Sequence, residues 1–162
     1  FANLPVNSKI HLYQGSTYNT VTKTALFNWG AGGSNRLDRG QSFWVEIPAT
    51  AASNFYQVFM MGEVPDRFSA TDTVVAVRSG LTMAGYGYPV DVYWTNTSLA
   101  KMAPINSKIH IWAGTNYVSH TKTALFGWGS AGNAQVITPG MGFWCQWAAA
   151  TNWTEVKPYT WP

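Results

Sequence analysis

The sequence predicts an all-β protein made of two related β units in tandem. Three observations carry that prediction: a long internal repeat, residue alternation of strand period, and a composition rich in aromatic residues but poor in charge. Residues 6–30 read VNSKIHLYQGSTYNTVTKTALFNWG and residues 105–129 read INSKIHIWAGTNYVSHTKTALFGWG. Between Asn7 and Gly30, fifteen of twenty-four positions are identical at one constant offset, the mark of a duplicated supersecondary unit. After one inserted residue the match resumes, Leu37–Trp44 aligning with Ile137–Trp144 and Ala51–Phe55 with Ala149–Trp153. Two such units predict a sandwich- or barrel-like, pseudo-symmetric architecture with one or two short helical turns. The first β repeat spans residues 1–64 and the second spans 65–162.

Each element has its own signal. Lys9-Ile10-His11-Leu12-Tyr13 alternates with period two, placing Ile10 and Leu12 on one face of a strand. Gly15-Ser16-Thr17 supplies a turn, and Tyr18–Val21 returns as the hairpin partner. Gly40 interrupts the chain before a strand over Phe43–Ile47. Further strands are expected over Phe55–Met61, Thr73–Arg78 and Leu81–Tyr86, and Pro89 ends the last. Helical signal is sparse: Thr95 or Asn96 can cap a turn over Ser98–Met102, and Thr24–Phe27 is a second candidate. Gly30-Ala31-Gly32-Gly33 reads as a plain flexible turn, since no Lys-Ser/Thr follows to make a phosphate loop.

The segment Gly80–Trp94 looks integral to the second unit and has no counterpart ahead of the first. Leu99–Met102 aligns approximately with Phe1–Leu4. The first repeat is therefore expected to lack its opening strand, and a missing strand leaves backbone N–H and C=O groups at an edge where another chain can add.

Composition narrows the function classes. Charged residues are 10% of the chain, against roughly a quarter in an ordinary soluble domain. The polar surface must then come from Ser, Thr, Asn, Gln and Gly, which suits an extracellular setting. The net charge of +3 is spread without a Lys/Arg cluster, so no nucleic-acid partner is expected. Cys145 is the only cysteine, which excludes an intrachain disulfide. No apolar run approaches the ~20 residues of a membrane span. The start at Phe1, without Met, fits either a processed chain whose targeting segment has gone or the ordered part of a longer chain.

Gly62-Glu63-Val64-Pro65, the G-L-x-M-x-G-Y-x-Y-P-V segment Gly80–Val90, Pro139-Gly140-Met141-Gly142-Phe143-Trp144 and the stretch Ala148–Thr154 form a further set of motifs. In these the chain resembles uncharacterised secreted proteins of environmental bacteria built from tandem β units. The resemblance spans most of the chain. It implies secretion and a tandem-unit fold, and its motifs are structural.

No catalytic, metal or cofactor constellation stands out, and no enzyme activity is expected. His11 and His110 recur at the same place in both repeats, as outward strand positions do. His120 aligns with Val21. The seven acids, Asp38, Glu46, Glu63, Asp66, Asp72, Asp91 and Glu155, read as solvated or turn-capping groups. Cys145 aligns with Val45, which marks a core position. Trp29/Trp128 and Trp44/Trp144 are duplicated and read as core. Asn96-Thr97-Ser98 and Asn152-Trp153-Thr154 match the N-glycosylation pattern.

Nine Trp, eight Tyr and eight Phe leave aromatic residues to account for, and aromatics concentrate at interface centres. Phe1, Tyr86, Tyr88, Trp94, Trp112, Trp147, Trp153, Tyr159 and Trp161 are the candidates for subunit contact or sugar stacking. The expectation from the whole is a secreted, extracellular or cell-surface structural protein that binds copies of itself, as a filament or surface-layer subunit. A carbohydrate-binding module, with polysaccharide as partner, is the alternative.

Overall fold

The computed structural model describes residues 1–53, 56 and 72–159. It is mostly β, with several sheets, none of them closed, and short helical pieces. The chain divides into two compact units: Phe1–Leu37 with Phe43–Glu63, and Asp38–Ser42 with Val64–Pro162. The short segment Asp38–Ser42, inside the first repeat by sequence, thus belongs to the second unit.

In the first unit β1 (Lys9–Tyr13) is central, flanked by β2 (Tyr18–Thr22) and β3 (Phe43–Glu46) in an antiparallel sheet. The register sets Ile10 opposite Val21 and Val45, and His11 opposite Thr20 and Trp44. Alternation therefore sends Ile10, Leu12, Val21, Phe43 and Val45 to one face, and Lys9, His11, Tyr13, Tyr18, Thr20, Trp44 and Glu46 to the other. The expected helix over Thr24–Phe27 is instead a tight turn closed by Thr24 N–H to the Asn28 carbonyl (2.7 Å). The Thr24 hydroxyl accepts from Phe27 N–H (3.1 Å), and Asn28 takes φ 52°. A Thr side chain bonding the backbone three residues on favours turn over helix. Residues 30–34 form a 3₁₀ turn rather than a loose loop. Gly32 lies so close to Val21 that a β-carbon there would overlap it.

The second unit repeats the hairpin register residue for residue. β7 (Lys108–Trp112) pairs β8 (Tyr117–Thr121) as β1 pairs β2, and β10 (Gly142–Trp147) takes the place of β3. Here a fourth strand, β5 (Gly80–Gly85), pairs the far edge of β10, giving the order β5-β10-β7-β8. β4 (Thr73–Val77) pairs β11 (Thr151–Glu155), and β6 (Val92–Tyr93) pairs β9 (Val136–Ile137). The helix expected over Ser98–Met102 is present as α1, capped by Thr97, whose hydroxyl accepts from Ala100 N–H (3.1 Å). A second helix, α2 (Gly129–Ala134), stands where the first unit has its 3₁₀ turn. The inserted residue supplies the extra length, since an α turn takes 3.6 residues and a 3₁₀ turn takes 3.0.

A lysine fastens each unit. Lys122 Nζ donates to the carbonyls of Ala100 (3.1 Å), Lys101 (3.1 Å) and Ala103 (2.7 Å), satisfying the end of α1. Lys23 Nζ donates likewise to Ala2 (2.7 Å) and Leu4 (2.6 Å). These bonds set Leu4 at the place of Ala103, one residue away from the alignment drawn by sequence. The strand expected over Phe55–Met61 lies, Tyr56 apart, outside the described residues.

Candidate functional site

Trp94, Trp147, Trp153, Tyr86 and Tyr88 do not form a surface. All five are buried, and they fill the core of the second unit with Leu99, Ile109, Ile111, Trp128, Ile137, Phe143 and Cys145. Their lack of a tryptophan partner in the first repeat reflects the larger core that β4, β5, β6 and β11 enclose. Phe1 and Tyr159 are half-buried, and Trp161 lies outside the described residues. Of the eight candidates among the described residues only Trp112, 44% exposed, presents its ring outward.

The core faces of the two units differ in closure. Trp94 makes edge contacts with Trp128 (5.1 Å between centroids) and Phe143 (5.6 Å). In the first unit Phe1 meets the corresponding Trp29 (6.4 Å) and Phe43 (5.5 Å). Phe1 therefore does part of what Trp94 does. The rest is left as a cavity of about 220 Å³ between Phe1, Ile10, Leu12, Val21, Trp29 and Leu37. Leu37 is 37% exposed where Ile137 is fully buried, and Ile10, Phe43 and Val45 are half-buried where Ile109, Phe143 and Cys145 are buried. Trp128 Nε1 donates to the Ala100 carbonyl (3.1 Å), whereas the buried Trp29 Nε1 meets no acceptor among the described residues. Among those residues, too, β3 is paired by β1 alone while β10 is paired on both edges.

The outward faces carry the aromatic and polar side chains. On the second unit Trp144 Nε1 donates to Tyr117 Oη (3.1 Å), and Trp112 packs edgewise on Tyr117 (5.1 Å). His110 lies between them, with Nδ1 2.6 Å from Ser119 Oγ and Nε2 3.4 Å from Gln146 Oε1. Leu81, His110, Tyr117, Trp144 and Gln146 line a shallow cavity of about 460 Å³. Trp44 and Trp144, expected in the core because they are duplicated, stand on this face. Alternation could have placed them there, because each follows an inward Phe and precedes an inward Val or Cys. On the first unit the same face is charged. Glu46 accepts from Lys9 Nζ (2.8 Å) and sits 3.1 Å from His11 Nε2, and these two bonds hold its carboxyl below its ordinary range.

The remaining titratable groups act as structure. Glu155, expected at the surface, is buried. Its Oε2 accepts from Ser98 N–H, Ser98 Oγ and Trp153 Nε1, each at 2.8 Å, tying β11 to the start of α1. His120 is buried beside Gly132, its Nε2 3.3 Å from Gln135 Oε1. Cys145 is a free thiol inside the core, and burial pushes its pKa well up, which suppresses the reactive thiolate. Burial also pushes Tyr86 up to about 12. Among the described residues no group of three His, Cys, Asp or Glu could hold a metal ion, and no helix is long and apolar enough to cross a membrane.

One feature the sequence did not flag is a pair of apolar turn tips. Leu26 and Phe27, and again Leu125 and Phe126, are 75–87% exposed at the two Thr-closed turns. The Thr-x-x-Phe spacing that makes each turn was the available signal. Comparison with protein-family models, with curated proteins and with solved structures found no match for this chain.

Proposed function

We propose that this is an extracellular structural protein that assembles with copies of itself, the first unit being completed by a strand from a neighbouring copy. The observation that carries the reading is the edge of β3. The same three-stranded module is hydrogen-bonded on to a fourth strand in the second unit, and along Phe43–Glu46 no described strand takes that place, β5 bonding only the residues just ahead of it (Gly85 N–H to the Gly40 carbonyl, 2.9 Å). An uncovered edge is a template for strand addition. The half-buried Ile10, Phe43 and Val45 and the adjacent cavity add apolar surface that an incoming strand would remove from water. Because an edge-to-partner contact of this kind is heterologous, it propagates into a filament when the rotation does not close. The sparse charge and the hydroxyl- and amide-rich surface favour a site outside the cell.

A synthetic peptide of residues 79–90, which contains β5, tests the reading. Sedimentation and electron microscopy should find assemblies well above 17.8 kDa, and excess peptide should dissolve them while slowing hydrogen exchange in β3. A 17.8 kDa species at every concentration, with β3 amides already as protected as those of β10, overturns the proposal.

A further inference from the structure

We infer that the outward face of the second unit is a binding groove for a neutral polysaccharide chain. Each of the four strands contributes to it: Leu81 from β5, Trp144 and Gln146 from β10, His110 from β7 and Tyr117 from β8. The cavity of about 460 Å³ lies within the ~300–1,000 Å³ of small-molecule sites. The bond from Trp144 Nε1 to Tyr117 Oη fixes two aromatic rings relative to one another, so they lose little freedom when a ligand arrives. Beside the rings His110 and Gln146 offer hydrogen-bonding groups close to the apolar surface. A sugar ring matches that combination, having C–H groups on its flat faces and hydroxyls at its rim.

Two observations define the ligand further. None of the five lining residues is charged, and Lys108, opposite Gln146 in the register, lies outside the lining, which matches an uncharged ligand rather than a uronate or a sulfated sugar. Trp112 continues the aromatic row beyond Tyr117 at 5.1 Å, and it is 44% exposed, so the row is longer than one sugar ring. A chain fits it better than a monosaccharide. At the same register the first unit has Glu46 in place of Gln146, bound to Lys9 and His11, and Tyr13 in place of Trp112. The ion pairs there must be broken or left buried under a neutral ligand, which opposes binding. The groove therefore belongs to the second unit alone, and the inference does not depend on strand addition at β3.

The test is titration of the whole chain with cellohexaose, xylohexaose, mannohexaose and maltohexaose, following binding heat by calorimetry in every variant and the Trp144 indole N–H resonance where Trp144 is kept. At least one neutral hexasaccharide should bind with a Kd below about 1 mM. Trp144→Ala and Gln146→Glu should each weaken binding by about tenfold or more, and Leu26→Ser should leave it unchanged. Trp144→Phe, which keeps an aromatic face, should retain part of the affinity and guards against a misfolded alanine variant. No shift of that resonance with any of the four sugars, tighter binding of an oligogalacturonate, or a shift that follows protein concentration without sugar would each overturn the inference.

Discussion

Replacing Glu155 with alanine is the sharpest test of how the second unit is held together. The carboxylate accepts three donors at 2.8 Å, but their losses are unequal. Trp153 Nε1 keeps Ser98 Oγ at 3.0 Å, and Ser98 Oγ keeps the Thr154 carbonyl. The Ser98 amide at the start of α1 is the donor left without a partner. A lost charge-assisted bond is worth about 1.5–3 kcal/mol and a stranded buried donor costs about 1–3 kcal/mol more, partly offset because a charge is no longer buried. The expected loss is about 3 kcal/mol, or ~6–12 °C in Tm for a chain of this size. Glu155→Gln retains a carbonyl oxygen for the Ser98 amide and should cost about 1 kcal/mol. Urea unfolding followed by tryptophan fluorescence measures both variants. Alanine within about 0.5 kcal/mol of the parent would refute the argument that this carboxylate fastens β11 to α1.

Lys122→Met removes the three bonds to α1 carbonyls and should destabilise by about 1–3 kcal/mol, with hydrogen exchange in α1 accelerating before that in β7. Cys145 should resist iodoacetamide at pH 8 in the native chain and react fully in urea; native labelling would show that the core opens readily. Tyr86 should ionise near pH 12 by ultraviolet titration. Because the folded chain then holds a proton that the unfolded chain has released, stability is intact below about pH 10 and falls as pH rises from 10 towards 12. On the first unit, Lys9→Met should raise the Glu46 titration midpoint measured by NMR, since the Lys9 bond is the largest influence holding it down.

The strands were readable where alternation was clean. Lys9–Tyr13 and Lys108–Trp112 follow directly from Ile and Leu at every second position, and the duplicated Thr-Lys-Thr motif marks where each hairpin ends. Two things were not readable. The buried tryptophans could not be told from surface ones, because a side chain's burial depends on which distant strands cover it, and the cover over Trp94 and Trp153 comes from contacts far apart in sequence. The carboxylate of Glu155 looked solvated for the same reason: its partner Ser98 is fifty-seven residues away. The groove on the second unit was obscured differently, since duplication of Trp44 and Trp144 pointed to packing while their strand parity pointed outward. Parity was the better guide.

The place of the only thiol has a bearing on how this molecule would age outside a cell. Cys145 is sealed inside the second unit, so oxidising surroundings offer it no sulfur to join. Any contact that copies of this chain make would then carry no disulfide through Cys145, and gels run with and without thiol should give the same bands.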